Sequence, residues 1–203
     1  MAICRTPRRK LLDQAMFKLC RGIKGVVLDV GAGASPYSQL PQVKSIRLDI
    51  DKSSHKVDVV ADAHHLPIRG RSVNAVICTE VLEHLEKPGE ALEEVRRVLV
   101  NDGVLILSTP FLYPLHDEKD YWRITPRGVR RILEELGFSV DLIESQGGLF
   151  TSVGSLIHVW GERFPPLIKY PLWLFAHLLS RLDRGCSEAW TTGYVVVARK
   201  PCS

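Results

Sequence analysis

Two acidic and glycine-rich stretches carry residue types and spacings that could do chemistry. The run Val26-Val27-Leu28-Asp29-Val30-Gly31-Ala32-Gly33-Ala34-Ser35-Pro36 sets a tight turn of small residues directly after a β-branched segment, so the backbone can approach a ligand closely. Twenty positions after Asp29 comes Asp49, closing the segment Ile46-Arg47-Leu48-Asp49, where a carboxylate can accept both hydroxyls of a ribose. Together they describe a site for a cofactor that contains a nucleoside. A nicotinamide fingerprint, G-x-G-x-x-G, would require glycine at position 36, where Pro36 stands.

A second cluster lies between Thr109 and Pro126, a long loop dense in titratable and aromatic groups with the pattern H-x-x-x-D-Y-x-R-x-T. His116 is the first candidate for a general base, because an imidazole with an unperturbed pKa near ~6.5 accepts a proton at neutral pH. His84 is the second. Asp120 and Arg123 would orient a substrate or form an ion pair that orders the loop, and Tyr113, Tyr121 and Trp122 would wall an acceptor pocket or anchor the loop in the core. His64 and His65 stand beside Asp62, but adjacent side chains in an extended loop diverge and no third ligand follows at a suitable spacing. No metal is expected.

Further along the chain two more blocks carry a family likeness. Ala61-Asp62-Ala63-His64-His65-Leu66-Pro67 and Asn74-Ala75-Val76-Ile77-Cys78-Thr79-Glu80-Val81-Leu82-Glu83-His84-Leu85, taken with the glycine turn and Asp49, resemble the successive motifs of class I, Rossmann-like methyltransferases that use S-adenosylmethionine (SAM), close to the methyltransferase type 11 group. The resemblance covers about residues 25 to 145 and resumes at the final strand. It implies SAM as cofactor, held by Asp29, Gly31, Ala32, Gly33, Ser35, Asp49, Ile50, Asp62, Ala63, Thr79 and Glu80, with Asp62 and the following amide at the adenine. Ser35 stands where many members carry a third glycine. The resemblance implies methyl transfer to a small-molecule acceptor, hydrophobic or linked to a lipid or glycan, with the methylated atom open. An RNA methyltransferase and a non-catalytic SAM-binding scaffold are the alternatives.

The elements that must position these groups can be read from periodicity. Short β-branched runs at Val26–Val30, Ser45–Ile50, Val57–Val60, Val73–Cys78, Val104–Ser108, Phe138–Ile143 and Tyr194–Ala198 alternate with helical patterns. Crossovers between strands imply an α/β fold: an open, mostly parallel seven-stranded sheet with helices on both faces and an antiparallel last strand. Pro88 and Pro126 suit first helical positions, Thr125 can cap the second, and Gly137 can stop it, giving helices over about 88–99 and 126–136. Residues 35–44 leave room for a first helix of one or two turns.

Two segments fall outside that minimal pattern. Residues 1–24 hold seven Lys or Arg and one Asp, a charge of +6 against −2 for the rest, with Leu11, Leu12, Ala15, Met16, Leu19 and Ile23 at helical spacing. This reads as a basic amphipathic helix, packed on the domain or attracted to anionic lipid or a nucleic-acid backbone. Residues 147–192 form an apolar helical insertion in a core spanning 25–146 and 193–200, rich in Trp and Phe. Its apolar run from Tyr170 to Leu179 falls short of the ~20 residues a bilayer span needs. A lid over a hydrophobic substrate, a homodimer seam or a membrane contact would each cover it. Five scattered cysteines without a C-x-x-C pair read as reduced thiols, and the N-terminus lacks the apolar stretch of a secretory peptide. A cytoplasmic location, peripheral at a membrane if the insertion binds one, is the expectation.

Overall fold

A computed structural model describes residues 5–34, 37, 43–52 and 57–202. Ser35, Pro36 and the short first helix expected after them lie outside the described residues. Seven strands form one sheet in the order β3-β2-β1-β4-β5-β7-β6: β1 Gly25–Val30, β2 Val43–Asp49, β3 Val59–Val60, β4 Val73–Thr79, β5 Leu99–Pro110, β6 Ser139–Ser145 and β7 Gly193–Arg199. The first five pair in parallel, and β7 runs antiparallel between β5 and β6. The expected fold class is the observed one.

Alternation along the central strands divides the core into two layers. Leu28, Val76, Leu105, Leu107 and Val196 face α2 (Pro88–Val98) and α3 (Pro126–Glu135), which contribute Leu92, Val95, Val129 and Leu133. Their sequence neighbours Val27, Ala75, Ile77, Ile106 and Val195 face the opposite way, onto Leu12, Ala15, Met16 and Cys20 of α1 (Pro7–Cys20). Thr125 accepts from the Gly128 N–H at 3.0 Å, and Gly137, at φ 77°, stops α3 in the left-handed conformation expected of it.

Three boundaries differ from expectation. Helix α1 begins at Pro7, where the Thr6 side chain accepts from the Arg9 N–H at 3.1 Å, and ends at Cys20, leaving Ile23 beyond it. Strand β5 starts at Leu99, directly after α2, and turns through Asp102 at φ 58° before its apolar half. The 147–192 segment folds as α4 (Leu149–Gly161) and α5 (Pro166–Ser180), packed on each other, with a further connection to β7. Asp183 ties the start of α4 to that connection, accepting N–H bonds from Gly148, Phe150 and Thr151. Among the described residues no helix is long and apolar enough to cross a membrane.

Candidate functional site

The carboxyl ends of β1, β2 and β4 open on a cavity of about 630 Å³. Gly31 lies on its wall at φ 65°, and a Cβ there would sit 2.3 Å from Val81 Cγ2, so glycine is required both by conformation and by space. The turn is held from below by the Ala32 N–H on the Leu48 carbonyl, 3.0 Å, and by Arg47 Nη2 on the Gly33 carbonyl, 2.6 Å. Asp49 accepts from the Gly33 N–H at 2.8 Å through Oδ2 and from the Asp51 N–H at 3.0 Å through Oδ1. Each oxygen keeps a second lone pair, so the carboxylate is fixed in place yet able to accept two hydroxyls. Ile50, 68% exposed, stands on the rim beside it as an apolar surface for a flat ring to cover. Asp62 and Ala63 line the same end; the His64 backbone N–H, followed by its ring, holds the Asp62 carboxyl below its ordinary pKa.

These groups fit a nucleoside with an attached amino-acid chain: a tight glycine turn, a carboxylate for the ribose and an apolar rim for the base. Gly31, Asp49, Ile50, Asp62, Ala63 and Glu80 line the cavity. Asp29 is wholly buried, and it, Ala32, Gly33 and Thr79, all expected to hold the cofactor, are not among the residues that line the cavity. Glu80 sits at φ 58°, a strained conformation for a residue with a side chain. Its N–H reaches the Ser108 carbonyl at 3.1 Å, and its carboxylate accepts from Ser108 Oγ at 2.9 Å.

The other end of the cavity is lined by His84, Asp117, Lys119 and Tyr121. Here the segment after β4 and the loop after β5 are sewn together. The Tyr121 N–H donates to the Glu83 carbonyl at 2.7 Å, and Trp122 Nε1 to the Leu85 carbonyl at 2.7 Å. His84 Nδ1 lies 3.1 Å from the Lys119 carbonyl, and His116 Nδ1 lies 2.8 Å from Asp120 Oδ2. The Lys119 carbonyl only accepts, so His84 Nδ1 carries the proton and its Nε2 is left as a lone-pair donor, while Asp120 Oδ2 accepts from the His116 backbone N–H at 3.2 Å. The two rings meet edge to face at 5.0 Å, with Tyr113 against His116 at 5.6 Å.

Of the two roles open to Asp120 and Arg123, the geometry gives the loop-ordering one. Arg123 makes a two-pronged pair with Asp120 and donates to the Pro114 carbonyl at 3.1 Å; the pair holds the Asp120 carboxyl down at about 2. Asp120, fully covered, thus positions His116 from behind. Tyr121 alone of the four candidate substrate residues lines the cavity; Tyr113 meets Arg8 instead, with the guanidinium 4.6 Å above its ring.

Two residues escaped the sequence reading. Arg8, in the segment expected to offer charge to lipid or phosphate, is 6% exposed and pairs with Glu80 across 72 positions, while Arg5 and Arg9 pair with Asp13. Glu83, 0% exposed, has neither carboxylate oxygen hydrogen-bonded among the described residues, and burial followed by the neighbouring Glu80 carboxylate pushes it up to about 8. With His84 and His116 it forms a cluster whose ligand atoms lie within 4.8 Å of one another. The expectation of no metal rested on His64, which is bonded to Asp62 at 2.6 Å, and did not consider this cluster.

Residues 28–107 match the family model described as a methyltransferase domain. An uncharacterized protein of Methanocaldococcus jannaschii is 28% identical over 134 residues, 57% of this chain and 65% of its own length. The chain spans less than two thirds of the curated relatives it matches, 47% and 39% of two others. Among solved structures, a SAM-dependent methyltransferase from Archaeoglobus fulgidus aligns with a TM-score of 0.62 at 20% identity, covering 95% of this chain and 92% of that one. The [4+2]-cyclase SpnF aligns at 0.63 and 17% identity, covering 95% and 80%. Residues 28–107 thus match a methyltransferase domain model, and the chain shares the fold of a SAM-dependent methyltransferase of known structure.

Proposed function

We propose that this chain, whose residues 28–107 match a methyltransferase domain model, transfers a methyl group from SAM to a small-molecule acceptor, and that the acceptor is apolar or carried on a lipid or glycan. The observation that carries the reading is one cavity with two unlike ends: a glycine turn and a fixed Asp49 carboxylate at one, and His84 with the His116 loop at the other. SAM supplies a methyl group already activated on a sulfonium, so no covalent enzyme intermediate is needed. The chain's own task is alignment, water exclusion and, for a hydroxyl or ammonium acceptor, removal of a proton.

Asp49 takes the ribose hydroxyls, Ile50 covers the base, and Asp62 with the Ala63 amide reads its edge. His116, beside His84 though not itself on the cavity wall, is the proton acceptor in this reading, with the Asp120 carboxylate 2.8 Å from its Nδ1. His84, held by the Lys119 carbonyl, is the alternative acceptor. Tyr121, on the cavity wall, offers apolar cover to a hydrophobic acceptor, and the exposed apolar residues of α4 and α5 would be the place for contact with a membrane from the cytoplasmic side. The RNA alternative is weakened by Arg5, Arg8 and Arg9, whose charges are engaged by Asp13 and Glu80.

Incubation with methyl-labelled SAM and separate pools of polar metabolites, lipid extract and RNA tests this reading. Label in a low-mass or lipid-soluble product supports it. Label confined to RNA, or no transfer to any pool, overturns it in favour of the RNA or the scaffold alternative.

A further inference from the structure

We propose that Glu83, His84 and His116 form a binding site for one divalent first-row transition-metal ion, with two imidazole nitrogens and one carboxylate on one side of the ion and its remaining positions open to the cavity. Three observations converge on it. The ligand atoms already lie within 4.8 Å of one another, drawn from the turn after β4 and the loop after β5. A tetrahedral shell with bonds of ~2.1 Å needs them roughly 3.4 Å apart, so no pair has to close by more than about 1.4 Å.

Both histidines are also prepared as ligands. His84 donates Nδ1–H to the Lys119 carbonyl at 3.1 Å, and His116 is backed by the Asp120 carboxylate, 2.8 Å from its Nδ1 and bonded to its backbone N–H at 3.2 Å. The first contact fixes the His84 tautomer with Nε2 free for a metal, and the second places a carboxylate behind the His116 ring, as outer-shell groups do in metalloproteins. His84 Nε2 stands 3.8 Å from Glu83 Oε1, too long for a hydrogen bond and suited to a shared ion.

The third observation is Glu83 itself. A wholly buried carboxyl whose two oxygens have no hydrogen-bond partner among the described residues is costly unless something satisfies it. Arg8, a buried cation close by, is bound to Glu80 instead. An ion between Glu83 and the two rings satisfies the carboxylate and offsets the repulsion of Glu80. Two nitrogens with one oxygen favour Mn²⁺, Fe²⁺, Co²⁺ or Zn²⁺ over the all-oxygen shells of Mg²⁺ and Ca²⁺.

The consequence for catalysis rests on the methyl-transfer reading. An acceptor oxygen taking an open position would be held beside the donor end of the cavity with its pKa lowered, so that its proton leaves without His116 as a base. Ion binding itself does not depend on that reading.

The test is titration of untagged, chelator-treated protein with Co²⁺, followed by its visible absorption, with calorimetry of S-adenosylhomocysteine run on the same samples. One equivalent of Co²⁺ should bind with bands of low-coordinate nitrogen and oxygen ligation. Glu83→Gln and His116→Ala should each weaken it at least tenfold, and Asp120→Asn, acting through His116, about tenfold. S-adenosylhomocysteine affinity should persist in His116→Ala, which alters an exposed loop side chain and so reports on the metal even if Glu83→Gln fails to fold. No stoichiometric Co²⁺ binding by the wild type, or binding unchanged in His116→Ala, would overturn the site. Loss of S-adenosylhomocysteine binding with Co²⁺ binding intact would instead overturn the cofactor reading alone.

Discussion

Gly31 and Glu83 show how single residues commit this site to its chemistry. Gly31 combines φ 65° with a neighbour, Val81 Cγ2, only 2.3 Å from where a Cβ would be. Gly31→Ala should therefore cost about 2 kcal/mol of stability in urea titrations and weaken S-adenosylhomocysteine at least tenfold, because the turn must open to admit the methyl. Unchanged affinity would mean that the turn does not cradle the ligand. The sequence pattern made the shared place of Gly31, Asp49 and Asp62 on the cavity legible because it is set by local geometry at strand ends. Glu83 was printed in the same motif but could not be assigned, since its burial and its meeting with His116 depend on a loop that starts after the next strand.

At the scale of elements, the strands and α2 and α3 were readable because hydrophobic period and proline and glycine punctuation agree. The role of α1 was not, because Arg8 finds Glu80 across 72 positions and only the folded sheet brings them together. With side chains 8% and 14% exposed, this pair should be costly to break from one side. Arg8→Met should lose roughly 2–4 kcal/mol by chemical denaturation, and the double variant with Glu80→Gln should recover part of it; a loss under 0.5 kcal/mol would make α1 a passive cover.

The α4–α5 seam carries a pH dependence of definite sign. His158 is buried, stacked on Trp173 at 4.4 Å and 4°, and faces His177 and, through it, Lys10; burial, then those two groups, lower it to about 4. Because the unfolded histidine titrates near ~6.5, the unfolded state takes up the proton first, so stability is full above that pH and falls as pH drops toward 4. The wild type should lose on the order of 2–3 kcal/mol more than His158→Phe between pH 7 and 4, read from melts at each pH. Parallel losses in the two proteins would contradict it.

The whole molecule pairs this site with an unusual surface. Helices α4 and α5 bury Trp173 between them but leave Leu156, Trp160, Leu167, Tyr170, Leu174 and Phe175 exposed, beside Arg163 and Arg181. Trp173 donates Nε1–H to the His158 carbonyl at 3.0 Å, so changing it would probe folding, whereas Trp160 and Leu174 probe the surface. The apolar run was legible in the sequence; which of its residues point outward was not, because the two helices pack chiefly on each other. If the surface meets a membrane, a monomeric wild type should float with anionic liposomes, and Trp160→Glu with Leu174→Glu should lower bound protein at least tenfold. A tight dimer that ignores liposomes would assign the surface to self-association.

Calorimetry of the wild type and Asp49→Ala with SAM, S-adenosylhomocysteine and NAD tests the central claim most directly. The account predicts that the first two ligands bind one per chain, that NAD does not, and that Asp49→Ala weakens both by about 10- to 100-fold through loss of charge-assisted hydrogen bonds to the ribose. Preference for NAD, or equal SAM affinity in the two proteins, would contradict it.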